Sequence, residues 1–180
     1  MNLVRTGIEG LVVLEPRVFG DARGYFFESY NERAFHGLGL RNKFVQDNES
    51  FSTYGILRGL HLQAGEAAQA KLVRVVQGRV LDVAVDVRPG SETFGKHFSV
   101  ELSAENKKMM LVPRGFAHGF VVLSETAVFQ YKCDNFYDQK AELGIIFDDP
   151  DLAIDWRIPR QDVRLSDKDK LNKRLTDLRL

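Results

Sequence analysis

Lys71–Gly90, KLVRVVQGRVLDVAVDVRPG, decides the fold class of this chain. Two valine-rich runs flank the pair Gln77-Gly78, a pattern that predicts two strands joined by a tight hairpin. Between Val80 and Arg88 the side chains alternate: Leu81, Val83, Val85 and Val87 share one face, and Asp82, Ala84 and Asp86 the other. That period of two predicts a half-buried strand whose acidic face lines a wet cavity. Working outward, Leu11–Leu14 and Tyr25–Tyr30 read as strands around a turn carrying Gly20, Asp21, Arg23 and Gly24. Phe44–Asn48, Phe98–Leu102, Met109–Pro113, Gly119–Leu123, Ala127–Tyr131 and Gly144–Phe147 read as further strands, with a short helical or irregular piece at Asn31–Leu40. Many short strands at close spacing predict a mainly β chain, an antiparallel sandwich or barrel. Beyond Asp149 the chain turns irregular, with Trp156 as an apolar anchor. Ser166–Leu180 reads as a charged helical tail that Ser166 would cap. With no repeat or linker, residues 1–180 are expected to form one domain, the tail from about 157 packing on the barrel.

Composition excludes several classes of function. The chain has 180 residues, 44% of them hydrophobic, enough for one sizeable core. Its 25 Lys and Arg balance 25 Asp and Glu, so no net field exists to hold nucleic acid or an anionic membrane. Cys133 is the only cysteine, which rules out an internal disulfide and a thiolate zinc cluster. The amino terminus lacks a long apolar core and no segment approaches membrane-spanning length, so a soluble, cytoplasmic protein is expected.

The chemistry concentrates in Gly55–Lys71, GILRGLHLQAGEAAQAK, which brings Arg58, His61 and Lys71 into β-prone sequence. Arginine suits a phosphate, histidine moves protons near neutral pH, and lysine stabilises an oxyanion, so the trio points to acid/base chemistry on an anionic substrate. Taken singly, each has an ordinary reading as a packed or snorkelling residue. Pro113–His118 contains P-x-G-x-x-H, which resembles the second motif of cupins, small β-barrel proteins. Metal-binding cupins supply H-x-H plus a glutamate from the first motif; here His61 is followed by Leu62 and Gln63, so a metal-free barrel is expected.

Seven segments follow one another in a single family's order: DARGYFFESY, FVQDNES, GILRGLHLQ, AKLVRVVQGRVLDVAVDVR, SAENKK, VPRGFAHGFVVLSETA and YKCDNFYD, with LSDKD further on. The chain thereby resembles the dTDP-4-dehydrorhamnose 3,5-epimerases from about Gly10 to Trp156, and again at LSDKD. The resemblance implies a cupin-like jelly roll that takes a dTDP-4-keto-6-deoxy sugar and inverts carbons 3 and 5 through an enolate, without a redox cofactor or a metal. It implies His61 as base, Tyr131 as proton donor, Asp169 as the carboxylate orienting His61, with Asp167 as the alternative, and Lys71 facing the carbon-4 oxygen. It further implies Arg58 and Arg23 on the diphosphate, Glu28, Gln46, Asp47 and Asn48 on the thymidine side, and His118, Tyr137, Glu142 and Lys168 as substrate contacts. Family members form homodimers in which amino-terminal strands cross, so Arg23 and Glu28 would serve the partner's site. Phe147 stands where the family commonly has tryptophan, a change expected to affect packing alone. Single-carbon epimerisation, a ketoisomerase outcome, a non-catalytic nucleotide-sugar binder and a metal-dependent cupin oxygenase remain open alternatives at this level.

Overall fold

The computed structural model describes residues 1–179; the tail's last residue, Leu180, lies outside them. Among the described residues thirteen strands form: β1 Asn2–Arg5, β2 Val12–Glu15, β3 Phe19–Asp21, β4 Gly24–Phe26, β5 Gln46–Thr53, β6 Leu57–Gln63 and β7 Lys71–Gln77. Then follow β8 Arg79–Asp86, β9 His97–Ser103, β10 Met109–Val112, β11 Phe116–Val122, β12 Thr126–Cys133 and β13 Glu142–Gly144. One antiparallel sheet runs β1-β2-β10-β7-β12-β5 and faces a second, β13-β6-β11-β8-β9, while β3 and β4 pair as a separate hairpin. This is the expected cupin-like sandwich. A short helix, α1 Glu32–Gly37, is capped by the Asn31 side chain, which accepts from the Ala34 N–H at 3.1 Å. It helps cover the outer face of the first sheet through Phe35, which packs with Leu14, Leu72 and Met109.

The Gln77-Gly78 pair is not a hairpin. β7 lies in the first sheet, between β10 and β12, whereas β8 lies in the second, between β11 and β9. The glycine therefore turns a corner from one sheet to the other. Its φ is +73°, and a Cβ there would sit 2.0 Å from the Thr126 carbonyl oxygen and 2.4 Å from Ser124 Oγ. Ser124 also accepts from the Arg79 N–H at 2.8 Å, so the corner is docked onto the β11–β12 turn. Gly78→Ala combines a left-handed backbone with a backbone clash and is expected to cost at least about 2 kcal/mol, read as a lower urea midpoint.

β8 also differs from expectation, being buried on both faces from Val80 to Asp86. Val80 and Ala84 look into the space between the sheets with Phe129 and Phe120. Leu81, Val83, Val85 and Val87 pack outward against Ile145, Leu152, Trp156 and Leu175. The alternation of the strand was legible; the cover on its outer face comes from residues about seventy to ninety positions downstream. Asp86 does not line a cavity either. It binds Arg88, Ser91 and Thr93 in its own loop, contacts that hold its carboxyl well below the usual range against the opposing pull of burial.

The expected helical tail takes another form. Its regular pieces are single 3-10 turns at Asp169–Leu171 and Leu175–Asp177, and Ser166 Oγ caps the first by accepting from the Asp169 N–H at 3.1 Å. The backbone between them is engaged elsewhere: the Ile146 N–H donates to the Lys173 carbonyl at 2.9 Å and the Leu175 N–H to buried Asp149 at 2.7 Å. Bonds to distant residues replace those a helix would make within itself. Trp156 anchors the segment as expected, 6% exposed, with its indole N–H donating to the Phe147 carbonyl at 2.8 Å. Phe147 packs in the same cluster, away from the cleft described below. Among the described residues no helix is long and apolar enough to cross a membrane.

Candidate active site

Between the sheets lies a cleft of about 630 Å³, bordered by Arg58, His61 and His118 on one side and Asn48, Lys71 and Tyr131 on the other. A smaller chamber of about 260 Å³ shares Asn48, His61, Lys71 and Tyr131 and adds Gln46, Tyr137 and Glu142. The placement follows from strand register. His61 on β6 sits opposite His118 on β11, so both imidazoles leave the same face of the second sheet. Tyr131 on β12 pairs with Asn48 and Val73, and Cys133 pairs with Lys71, which brings phenol, amine and amide to the facing wall of the first sheet. Glycines allow the histidine strands to meet closely: a Cβ on Gly59 would lie 2.6 Å from Gly119 Cα, and one on Gly119 2.7 Å from the Arg58 carbonyl oxygen.

His61 Nε2 lies 2.5 Å from Asp169 Oδ1, so Nδ1 is the ring atom left for a substrate. Asp169 is 5% exposed; burial alone would raise its carboxyl, but hydrogen bonds from His61, Ser166 and the Gly59 N–H hold it below the usual range. Asp167 instead pairs with Lys170 in solvent at 2.8 Å. The geometry thus separates the two aspartates that the sequence left as alternatives.

His118 forms a second pair, Nε2 to Asp82 Oδ1 at 2.7 Å. Asp82 is fully buried; burial raises its carboxyl, and His118 and Lys71 oppose that. It sits behind His118 rather than lining open water, and its role as that histidine's partner was missed at the sequence level. The available signal was an acid in the middle of an otherwise valine-rich strand.

Burial pushes Lys71 down, opposed by Cys133, Glu142 and Asp82, and its ammonium lies 5.9 Å from the centre of the Tyr131 ring. Burial likewise pushes the Tyr131 phenol up, which keeps it protonated as a donor. Arg58 at the mouth is tethered to β5, donating from Nε to Ser52 Oγ at 3.0 Å and from Nη2 to the Phe51 carbonyl at 3.2 Å. Arg164, which sequence reasoning did not single out, borders the same cleft. Glu142 joins the tail to the rim, accepting from the Tyr137 hydroxyl and pairing with Lys168, each at 2.5 Å. The bond to Glu142 pushes Tyr137 up to about 12. Among the described residues no group of three or more His, Cys, Asp or Glu is arranged to hold a metal ion; Lys71 brings a cation to the first sheet's wall of the cleft.

Asp47 lies elsewhere, and Arg23 and Glu28, expected to serve the partner's site, do not border this cleft. Asp47 alternates to the outer face of its sheet, where it pairs with Lys132 at 2.9 Å. Arg23, its side chain 90% exposed, pairs with Asp21 in the β3–β4 hairpin, and Glu28 accepts from Asn31 in the following loop.

The model of the dTDP-4-dehydrorhamnose 3,5-epimerase family matches residues 5–177. The chain belongs to this family. A curated member from Escherichia coli is 57% identical over 157 residues, covering 87% of this chain and 85% of that protein. The crystal structure of the Elizabethkingia anophelis dTDP-4-dehydrorhamnose 3,5-epimerase shares 60% identity at a TM-score of 0.94, with 98% of this chain and 97% of that one aligned. A Legionella pneumophila dTDP-6-deoxy-D-glucose-3,5-epimerase, solved with dTDP-4-keto-L-rhamnose, shares 48% identity at a TM-score of 0.95 over 99% of this chain and 94% of its own. As a family member the chain is an isomerase of the epimerase class.

Proposed function

We propose that the cleft converts dTDP-4-dehydro-6-deoxy-D-glucose to dTDP-4-dehydro-L-rhamnose by inverting carbons 3 and 5. The observation that carries this reading is the placement of an imidazole on one wall of the cleft and a phenol with a lysine ammonium on the facing wall. The carbon-4 ketone acidifies the neighbouring C–H bonds. His61 Nδ1 takes the proton from one face, and the electron pair moves through the new C=C bond onto the carbonyl oxygen, where Lys71 stabilises the enolate. Tyr131 then returns a proton to the same carbon from the other face, so the centre inverts; the phenolate regains a proton from solvent and His61 releases to solvent the one it took, which resets both groups for the second centre. Asp169 holds His61 in the tautomer with Nδ1 free and balances the charge it acquires. His118, set by Asp82, contacts the sugar; Arg58 takes the diphosphate; Gln46 and Asn48 meet the thymidine side; Tyr137, Glu142 and Lys168 close the rim.

The whole chain acts as one domain, with the tail supplying Asp169 and Lys168. The homodimer expected from the resemblance is part of the proposal. The β3–β4 hairpin exposes Phe19, Tyr25 and Phe26, and its Arg23, with Glu28 and Asp47, does not border this chain's own cleft. An arm crossing to the partner brings the first two to the neighbour's diphosphate and thymidine. A single free cysteine and a nucleotide-sugar substrate fit a cytoplasmic setting.

Proton NMR in heavy water tests the reaction. With dTDP-4-dehydro-6-deoxy-D-glucose, signal loss at both carbons 3 and 5 is expected. Loss at one alone identifies a single-carbon epimerase, and loss at neither, with dTDP bound, a non-catalytic binder.

A further inference from the structure

We propose that Asn172 and Gly144 are positioning residues that lock the carboxy-terminal tail onto β6, so that Asp169 meets His61. The inference rests on His61 being the base, as proposed above. His61 and Asp169 are 108 residues apart in sequence, yet their side chains are held at 2.5 Å. The turn that carries Asp169 does not hold itself there by burial, since its last residue, Leu171, is 81% exposed.

Besides the bonds from Lys168, Lys173 and Leu175 to the barrel, the tail has a grip on Gly59, two residues before His61. The Gly59 carbonyl accepts from the Asn172 side-chain amide at 3.5 Å, and the Gly59 N–H is among the groups that hold the Asp169 carboxyl low. The same amide reaches the Ile145 carbonyl at 3.4 Å, and Ile145 exchanges two backbone hydrogen bonds with Leu60, at 2.9 and 3.2 Å. Asn172 thus spans β6 and the chain just after β13, beside the base.

Gly144 makes room for that amide. A Cβ on Gly144 would lie 2.0 Å from Asn172 Oδ1 and 2.4 Å from its Cγ, and the three nearest atoms all belong to Asn172. Gly144 has no left-handed φ to explain it, so space for Asn172 is its structural reason. Neither residue borders the cleft, so their effect on turnover passes through Asp169 and His61. Reaction rates depend steeply on such geometry, because a small displacement of a catalytic group takes it out of the near-attack arrangement.

A double-mutant cycle on the full chain tests this, with dTDP-4-dehydro-6-deoxy-D-glucose as substrate and dTDP calorimetry alongside. Asn172→Ala is expected to lower kcat about 10-fold with KM and dTDP affinity unchanged, the usual scale for loss of an outer partner of a catalytic group. Gly144→Ala should also lower kcat, because its methyl displaces the Asn172 amide. The double variant should then match Asn172→Ala alone, since the methyl has nothing left to displace. Unchanged kcat in Asn172→Ala, a loss confined to KM, or losses that multiply in the double variant would each overturn the proposal. If Gly144→Ala does not fold, Asn172→Ala decides by itself. His61→Ala is measured in parallel: normal turnover there removes the base assignment itself, whereas an inactive His61→Ala beside an unaffected Asn172→Ala removes only the clamp.

Discussion

His61→Ala is expected to lower turnover by about 10³–10⁴-fold, the upper range for loss of a general base and equivalent to about 4–5.5 kcal/mol of transition-state stabilisation. The fold should survive, because the imidazole is partly exposed and the turn that carries Asp169 keeps its N–H bond to Ser166 Oγ. Affinity for dTDP should change little, since Arg58 stays tethered to Ser52 and Phe51. The informative readout is deuterium incorporation. Without a base no C–H bond is broken, so exchange at carbons 3 and 5 should disappear together with inversion. A variant that binds dTDP and still washes out either proton at the normal rate would mean that another group is the base.

Tyr131→Phe should separate the two halves of the reaction. The ring packs beside Phe129 at 6.1 Å between centres, and phenylalanine keeps that contact while losing the hydroxyl. Inversion is expected to fall about 10²–10³-fold, within the range for loss of a positioned acid. Exchange should persist, because His61 still removes a proton and can return a deuteron to the face it came from. The expected signature is exchange with retention. Normal inversion would remove Tyr131 from the mechanism, and equal loss of exchange and inversion would assign it to enolate formation rather than to reprotonation.

Much of the site was legible because its residues lie in dense local motifs. Arg58 and His61 are three apart on one strand, His118 follows a glycine turn, and Tyr131, Lys71 and Asn48 sit on strands whose alternation fixes their face. The same alternation sends Asp47 outward, a placement that the register of β5 states once the inward face is known. Asp82 was harder. Its burial could be suspected from its valine neighbours, but its pairing with His118 depends on β8 lying beside β11, which no local pattern specifies.

The sequence by itself determined a β-rich chain, the alternation of its strands, and the family whose motifs it carries. Only the tertiary structure decided that Gln77-Gly78 turns between sheets, that β8 is covered on both sides, that the tail forgoes a helix, and that Asp169 rather than Asp167 meets His61. The reason is common to all four. A positive-φ glycine between valine runs serves a hairpin or a corner equally well, and what selects the corner is the space between Ser124 and Thr126, about 50 residues away. An alternating strand cannot state what lies on its outer face. A tail rich in charge forms a helix only where its backbone has no better partner, and Ile146 and Asp149 supply better ones. Local propensity amounts to tenths of a kcal/mol per residue, whereas a buried backbone group without a partner costs about 1–3 kcal/mol, so the distant partners prevail.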